Sequence, residues 1–314
     1  MSRDALPRSP RYLGGCARYL HPDSGPIRPV ASAQERGQLE GFVHDGAALN
    51  PGGSQVPLSN NLAVERRRYD RHRGDHVARY RWVAAQLAQA RVLDVGCGHG
   101  FGALYLERSA RSYLGIDVDQ GAVEWATRTV GAAVPHARFE QTPTLPRDGS
   151  FDAVVCFEVL EHVADPRRLL DDLRACAAPG APVFLSTPNG QLSDGRSAWF
   201  MSPFHLAEFT ARQFGALIDD TFGPVGEFFV QHRIDGLDWA PQAMRRRLTP
   251  SPAPAIDASR PMPTATPPTL RRAHEWFRRI PSPAFLWRTA PLPRPLQNGV
   301  RYSHLLWSGP RAPA

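Results

Sequence analysis

Lysine is absent from this chain of 314 residues, and cysteine is scarce. Every strong base is therefore an arginine, and the formal net charge of +7 rests on that residue type. An arginine excess indicates either a coding bias or an anion-binding surface, and we favour the coding bias. No Cys-x-x-Cys pair occurs among Cys16, Cys97, Cys156 and Cys176. This argues against a zinc knuckle and a disulfide framework, and it is typical of a reducing cytoplasm.

Long apolar runs are missing as well, so the sequence predicts neither a signal peptide nor a membrane span, and we expect a cytoplasmic protein. The 31 prolines crowd the two ends of the chain. We therefore expect a disordered segment over residues 1–60, a folded core over 61–232, a Pro- and Arg-rich insertion over 233–300, and a last strand and tail over 301–314. An alternative for residues 40–60 is a lid over the active site.

Two stretches before residue 90 predict helices. Residues 62–74 carry five arginines, and this pattern favours a solvated helix face over a nucleic-acid patch. Residues 76–87 place Val77, Tyr80, Val83 and Leu87 on one helical face. A tyrosine on such a face is more often a core residue than a ligand contact.

The sequence centres on residues 91–100, where a short apolar run leads directly into Gly96, Gly98 and Gly100. An apparent helix follows, and a strand, glycine turn and helix in this order can cradle a nucleotide. The alternative is a tight turn that binds nothing. Asp117 ends the next apolar run at the distance expected of a residue that binds a ribose diol. Phe101 occupies the position of the third glycine of a dinucleotide fingerprint, which disfavours NAD and FAD.

Beyond the glycine turn, apolar runs alternate with helical patterns. Strands are predicted near residues 91–95, 112–117, 137–140, 151–157, 181–186, 225–230 and 302–307. A helix is predicted over 166–177, and a capping box at Thr210 opens another. This alternation predicts an α/β fold with a doubly wound, mostly parallel, seven-stranded sheet of the Rossmann-like kind. Ligands of such sheets lie at the carboxyl ends of the strands.

The chain resembles class I S-adenosylmethionine (SAM)-dependent methyltransferases over roughly residues 74–231 and 302–308. The resemblance rests on five segments in the right order, at residues 93–100, 115–117, 151–155, 158–163 and 186–189. It implies SAM as cofactor. The residues that would bind it are Tyr80, Asp94, Gly96, Cys97, Gly98, Asp117, Gln141 and Phe157.

The resemblance also implies individual roles in cofactor binding. Gly96 and Gly98 would pass under the methionine moiety, and Asp117 would bind the ribose hydroxyls. Gln141 stands where the family commonly has an acidic residue facing the adenine. Phe157 would lie beside the adenine or the sulfonium. The helix around Tyr80 resembles the leader of bacterial methyltransferases of glycan and natural-product assembly, in which this tyrosine closes over the cofactor.

The acceptor chemistry is predicted to lie just after the fourth strand. If the segment is helical, Glu158, Glu161 and His162 point one way, and His205 follows the fifth strand at the same rim. These four residues are candidate ligands for Mg²⁺ or Mn²⁺. The pattern resembles metal-dependent O-methyltransferases of small-RNA 3′ ends and of the ubiquinone pathway. In the alternative without a metal, His162 is the general base, with Glu161 beside it as the second catalytic residue.

The leading functional prediction is O-methylation of a sugar or another hydroxylated small molecule, so the expected partner is a small-molecule or glycan acceptor. Residues 233–300 are a candidate cap over that acceptor. Two alternatives remain: a metal-dependent RNA 3′-end 2′-O-methyltransferase, for which nucleic acid is the less favoured partner, and a non-catalytic SAM-binding regulator.

Overall fold

The computed structural model describes residues 58–163, 165–189, 209–233, 281, 283–294, 296 and 304–310. The segment predicted to be disordered lies almost wholly outside these residues. His205 and most of the predicted 233–300 insertion lie outside them too.

One eight-stranded sheet organises the described residues, with the strand order β3-β2-β1-β4-β5-β8-β6-β7. The strands are β1 (Ala90–Val95), β2 (Ala110–Asp117), β3 (Ala137–Gln141), β4 (Ala153–Phe157), β5 (Pro182–Pro188), β6 (Glu227–Arg233), β7 (Trp287–Pro291) and β8 (His304–Pro310). Strands β1 to β5 pair in parallel, whereas β8 is antiparallel to both β5 and β6. This confirms the predicted α/β fold with a mostly parallel sheet.

The predicted number of seven strands is wrong, because β7 adds an eighth strand at the edge of the sheet. It lies within the stretch predicted as an irregular insertion, and it pairs antiparallel with β6. Pro291 ends it, and Pro283 precedes it by a few residues. A proline lacks the N–H that a central strand must donate, and an edge strand tolerates this loss. The buried ring of Trp287 packs this edge strand onto the fold.

Six helices cover the two faces of the sheet within the described residues: α1 (Leu62–His72), α2 (Gly74–Ala84), α3 (Phe101–Leu106), α4 (Gln120–Ala133), α5 (Pro166–Cys176) and α6 (Ala211–Phe222). The predicted capping box at the start of α6 is present, with Thr210 and Gln213 exchanging both hydrogen bonds. Among these helices, none has the length and apolar character needed to cross a membrane.

Two apolar clusters lie on opposite faces of the sheet, since successive side chains of a strand point to opposite sides. Leu93 and Val154 pack with the residues of α5 and α6. Val92 and Val155 pack with those of α2, α3 and α4. Burial on both faces explains why β1 and β4 read as almost unbroken apolar runs. Because β1, β2, β4 and β5 run parallel, their carboxyl ends lie at one shared edge of the sheet.

Candidate active site at the carboxyl edge of the sheet

The glycine turn after β1 has the backbone that its residues predict. Gly96, Gly98 and Gly100 all adopt positive φ, at 73°, 52° and 70°. A Cβ on Gly96 would overlap the side chain of Val159, and one on Gly100 would overlap Phe139. A Cβ on Gly98 would meet no atom within 4 Å. Neighbouring side chains thus leave no room for a Cβ at Gly96 and Gly100. Gly98 instead faces open space, as the backbone of a ligand cradle must.

Asp117 ends β2 directly beside this turn. Its Oδ2 accepts a hydrogen bond from the Gly98 amide at 2.7 Å, and its Oδ1 accepts one from the Asp119 amide at 3.0 Å. A carboxylate has about four lone-pair sites, so two backbone donors leave acceptor capacity for a ribose diol. Gln141 pairs with Asp117 in the sheet register, and its side-chain amide donates to the Val118 carbonyl at 3.3 Å. Gln141 thus lies at the same rim as Asp117, and its contact with the adenine stays a prediction.

Asp94 lies under the glycine turn and is 1% exposed. Its Oδ2 accepts hydrogen bonds from the hydroxyls of Tyr80 (2.8 Å) and Tyr113 (2.5 Å). Its Oδ1 is buried and has no hydrogen-bond partner. Burial raises the pKa of Asp94 to about 7, and the charge of Asp117 acts in the same direction. A buried carboxylate with one oxygen unpaired is costly, and a cationic donor bound beside it would remove that cost.

Three more predicted cofactor residues, Tyr80, Cys97 and Phe157, are buried near the same edge of the sheet. The Tyr80 ring is buried and lies 5.4 Å from the Phe157 ring, measured between centroids. Tyr80 is thus a core residue that reaches the site through Asp94, and its contact with the cofactor stays a prediction. The Cys97 side chain is buried at the turn, and burial raises the pKa of its thiol, which therefore stays protonated at neutral pH.

The acceptor side begins at Glu158, directly after β4. The segment 158–162 is not the continuous helix on which the predicted alignment depends. Glu158 has a positive φ of 57°, and only Leu160–His162 form a 3₁₀ turn. The Glu158 Oε1 accepts from Arg79 Nη1 at 3.0 Å and from Ser186 Oγ at 2.7 Å. Its Oε2 lies 3.4 Å from His304 Nε2. Burial acts to raise the pKa of Glu158, but Arg79, His304 and Ser186 together lower it.

Glu161 and His162 point to different neighbours. Glu161 is 1% exposed, its Oε2 accepts from the Thr187 hydroxyl at 3.1 Å, and its Oε1 has no hydrogen-bond partner. Burial, reinforced by the charge of Glu158, raises the pKa of Glu161 well above its usual value. The His162 side chain is 38% exposed, and its Nε2 lies 4.0 Å from the Glu161 Oε1. The two predicted catalytic residues are therefore adjacent, with the imidazole on the accessible side.

Of the predicted metal ligands, the structure describes Glu158, Glu161 and His162, and these three are not brought together as expected. Among the residues that the structure describes, no three His, Cys, Asp or Glu side chains are placed to hold a metal ion. The left-handed turn at Glu158 is the physical reason, because it directs this carboxylate to Arg79 and His304 while Glu161 faces Thr187. His205 lies outside the described residues.

Comparison with known proteins supplies the family. Residues 65–221 match the family model described as a methyltransferase domain. This chain belongs to that methyltransferase family. It is 33% identical over 146 residues to a probable S-adenosylmethionine-dependent methyltransferase of Mycolicibacterium smegmatis, covering 46% of this chain and 56% of the relative. It is 39% identical over 115 residues to the ubiquinone biosynthesis O-methyltransferase of Ralstonia nicotianae, covering 34% and 47%. The chain thus spans about half the length of these relatives.

Several residues at this candidate site escaped the sequence analysis. Arg79, Ser186 and His304 converge on Glu158 from α2, β5 and β8, and no sequence spacing links such distant positions. Val118 was detectable, because it follows Asp117 directly at the end of the apolar run. Val118 is 48% exposed and lies at the rim directly beside Asp117, where an apolar side chain suits contact with a flat apolar ligand face.

Proposed function

We propose that this protein is a SAM-dependent methyltransferase that methylates a hydroxyl oxygen of a sugar or another hydroxylated small molecule. The observation that supports it most is the open turn at Gly98 next to the Asp117 carboxylate. An open glycine cradle with an acidic residue one strand away fits a nucleoside that carries an amino-acid chain. The similarity to relatives named as O-methyltransferases favours oxygen as the acceptor atom.

The residues of the site fit SAM. Asp117 would accept hydrogen bonds from the ribose hydroxyls. Val118 and Gln141 would bound the adenine, by an apolar contact and by the side-chain amide. The unpaired Oδ1 of Asp94 would accept a hydrogen bond from the methionine ammonium, which would lower the pKa of Asp94 again. When bound, SAM supplies a methyl group already activated by the sulfonium.

The protein must then align the acceptor and take up its proton. Alignment of two reactants can contribute roughly 7–11 kcal/mol to the lowering of the barrier. His162 is exposed enough to contact an acceptor hydroxyl and would take its proton as the methyl group passes from the sulfonium sulfur, which is left as a thioether, to the acceptor oxygen. Glu161, whose pKa burial raises and whose carboxyl group Thr187 holds in place, would orient the imidazole. General base catalysis of this kind contributes about 10²–10⁴-fold in rate.

This mechanism assigns no step to a metal, because Arg79, Ser186 and His304 already engage both oxygens of Glu158. It also favours a small molecule over RNA. Two of the arginines of α1 that the RNA alternative would use make ion pairs on their own helix, Arg66 with Asp70 and Arg68 with Glu65. Such pairs are typical of a solvated helix face.

The test is a screen of acceptors with methyl-labelled SAM. The panel contains sugars, phenols and catechols, amines and a small RNA, each assayed with and without a chelator. We expect SAM to bind in calorimetry and the label to appear on a hydroxyl oxygen with the chelator present. Label on nitrogen would refute the choice of acceptor atom, and activity abolished by the chelator would refute the metal-free mechanism. SAM binding without transfer to any acceptor would favour the regulator, and absence of SAM binding would refute the whole proposal.

A further inference from the structure

A fully buried arginine joins the leader helix to the candidate active site. Arg79 of α2 has no exposed surface. Its Nη1 donates to Glu158 Oε1 at 3.0 Å, and its Nη2 donates to Asp75 Oδ2 at 3.2 Å. Its guanidinium also lies 5.7 Å from the centre of the Phe157 ring. One side chain therefore connects α2 to the last residue of β4 and to the residue after it.

The residue that Arg79 holds has an unusual backbone. Glu158 adopts a left-handed φ of 57°, a backbone conformation that residues with a Cβ rarely adopt unless neighbouring contacts stabilise it. Support comes from three elements: Arg79 on α2, Ser186 on β5 and His304 on β8. The Glu158 amide also donates to the Ser186 carbonyl at 3.1 Å. The left-handed turn therefore depends on contacts made by the carboxylate as well as by the backbone.

This turn determines where the next four residues lie. It brings Val159 against Gly96, so closely that any side chain on that glycine would overlap it. It also starts the 3₁₀ turn that buries Glu161 beside Thr187 and leaves His162 exposed. Residues 159–162 thus lie between the glycine turn and the acceptor side. A shift of this segment would move the candidate base relative to the cofactor cradle.

We propose that Arg79 is a positioning residue for methyl transfer, whose ion pair with Glu158 maintains the left-handed turn that places residues 159–162 between cofactor and acceptor. The inference rests on the proposed function for its catalytic consequence. It gives Glu158 a role other than metal ligation, as the anion through which α2 acts on the site. A displacement of about 1 Å at a catalytic group can cost on the order of a hundredfold in rate.

The experiment uses the full chain and removes both charges together, as Arg79→Met with Glu158→Gln. Removal of one partner alone leaves an unpaired buried charge and destabilises the fold, whereas removal of both is better tolerated. Asp75 keeps an ion pair with Arg73 at 3.5 Å in the double variant. A control with the same pair of substitution types is Arg91→Met with Asp152→Asn, a more exposed ion pair of 2.9 Å at the amino end of the strands, away from the site.

We expect the double variant to fold and to bind SAM within about threefold of wild type, while kcat falls by about tenfold or more. The control pair should change kcat by less than about twofold. Arg79→Lys is the conservative second variant. It keeps the charge but cannot reach Asp75 and Glu158 in the same geometry, so a smaller loss of kcat is expected. A folded double variant with wild-type kcat, or an Arg79→Lys variant that loses as much kcat as the double variant, would overturn the proposal.

Hydrogen exchange provides a readout that does not depend on activity. The proposal expects faster amide exchange at residues 159–162 in the double variant and in Arg79→Lys, with unchanged exchange in β1 and β2. Unchanged exchange in that segment would overturn the proposal even if kcat falls. If wild type itself transfers no methyl group, the proposed function fails, and the exchange data still decide whether Arg79 maintains the turn.

Discussion

The effect of Gly98→Ala on cofactor binding can be separated from its effect on stability. A second glycine, Gly180, has a similar backbone and similar open space but lies outside the proposed cradle. Gly98 has a φ of 52°, and its added Cβ would meet no atom within 4 Å. Gly180, in the turn after α5, has a φ of 77° and equally open surroundings. Alanine at either position is strained only by its backbone. The two variants should therefore lose similar stability, while only one of them lies in the proposed cradle.

The expected magnitudes follow from that strain. A left-handed conformation costs a residue with a Cβ about 1–2 kcal/mol. Each variant should thus melt a few degrees below wild type, since 1 kcal/mol corresponds to about 2–4 °C in a domain of this size. The added methyl group at position 98 would occupy space proposed for the methionine moiety of SAM. A loss of about tenfold to a hundredfold in affinity, or 1.4–2.8 kcal/mol, is expected there.

Denaturant unfolding and titration calorimetry with SAM measure the two effects on the same samples. Gly180→Ala should bind SAM like wild type despite its lower stability. If Gly98→Ala also bound SAM with wild-type affinity, the open space above Gly98 would not be the cofactor cradle. Equal losses of affinity in both variants would instead indicate a general effect of reduced stability, and the reasoning from local geometry would fail.

Four further predictions concern neighbouring residues. Gly96→Ala should destabilise the fold more than Gly98→Ala, because its Cβ overlaps Val159, and unfolding curves that coincide for the two variants would contradict this. Asp117→Asn should weaken SAM binding about tenfold or more by removing the charged acceptor, and calorimetry showing unchanged affinity would refute the ribose assignment. His162→Ala should lower kcat about 10²-fold or more with little effect on SAM affinity, and a near-normal kcat would remove it as the base. Burial raises the pKa of Asp94 to about 7, from about 4 in the unfolded chain, so the stability that this group contributes is full below pH 4 and is lost as the pH rises through 7. Asp94→Asn should remove this decrease in the free energy of unfolding between pH 4 and 7, as measured by denaturant unfolding. A decrease of the same size in the variant would show that Asp94 ionises normally.

Much of the parallel part of the fold was predictable from the sequence. The strands β1 and β4 are apolar runs buried on both faces, and the capping box at Thr210 marks the start of α6 in the sequence itself. The glycine turn and Asp117 were predictable for the same reason, since both depend on residues close together in the chain. These features need only local backbone preference and periodicity.

The acceptor side was less predictable because its geometry depends on distant contacts. Nothing at residues 158–162 signals that Glu158 adopts a left-handed backbone, and a helical spacing of Glu158, Glu161 and His162 gave the wrong expectation. Arg79 precedes Glu158 by 79 residues, and His304 lies on a strand near the other end of the chain. Edge strand β7 was missed for a different reason, since its flanking prolines are typical of irregular chain.

The position of β8 between β5 and β6 has a consequence for biosynthesis. On a ribosome, the backbone donors and acceptors along one side of β5 and of β6 have no partner in the sheet until residues 304–310 emerge. His304, which faces Glu158, arrives with the same strand. A nascent chain stalled before this strand would thus carry two unprotected sheet edges and an unfinished site. Such edges recruit other chains, so we expect truncation before residue 304 to produce aggregates rather than a weakened enzyme.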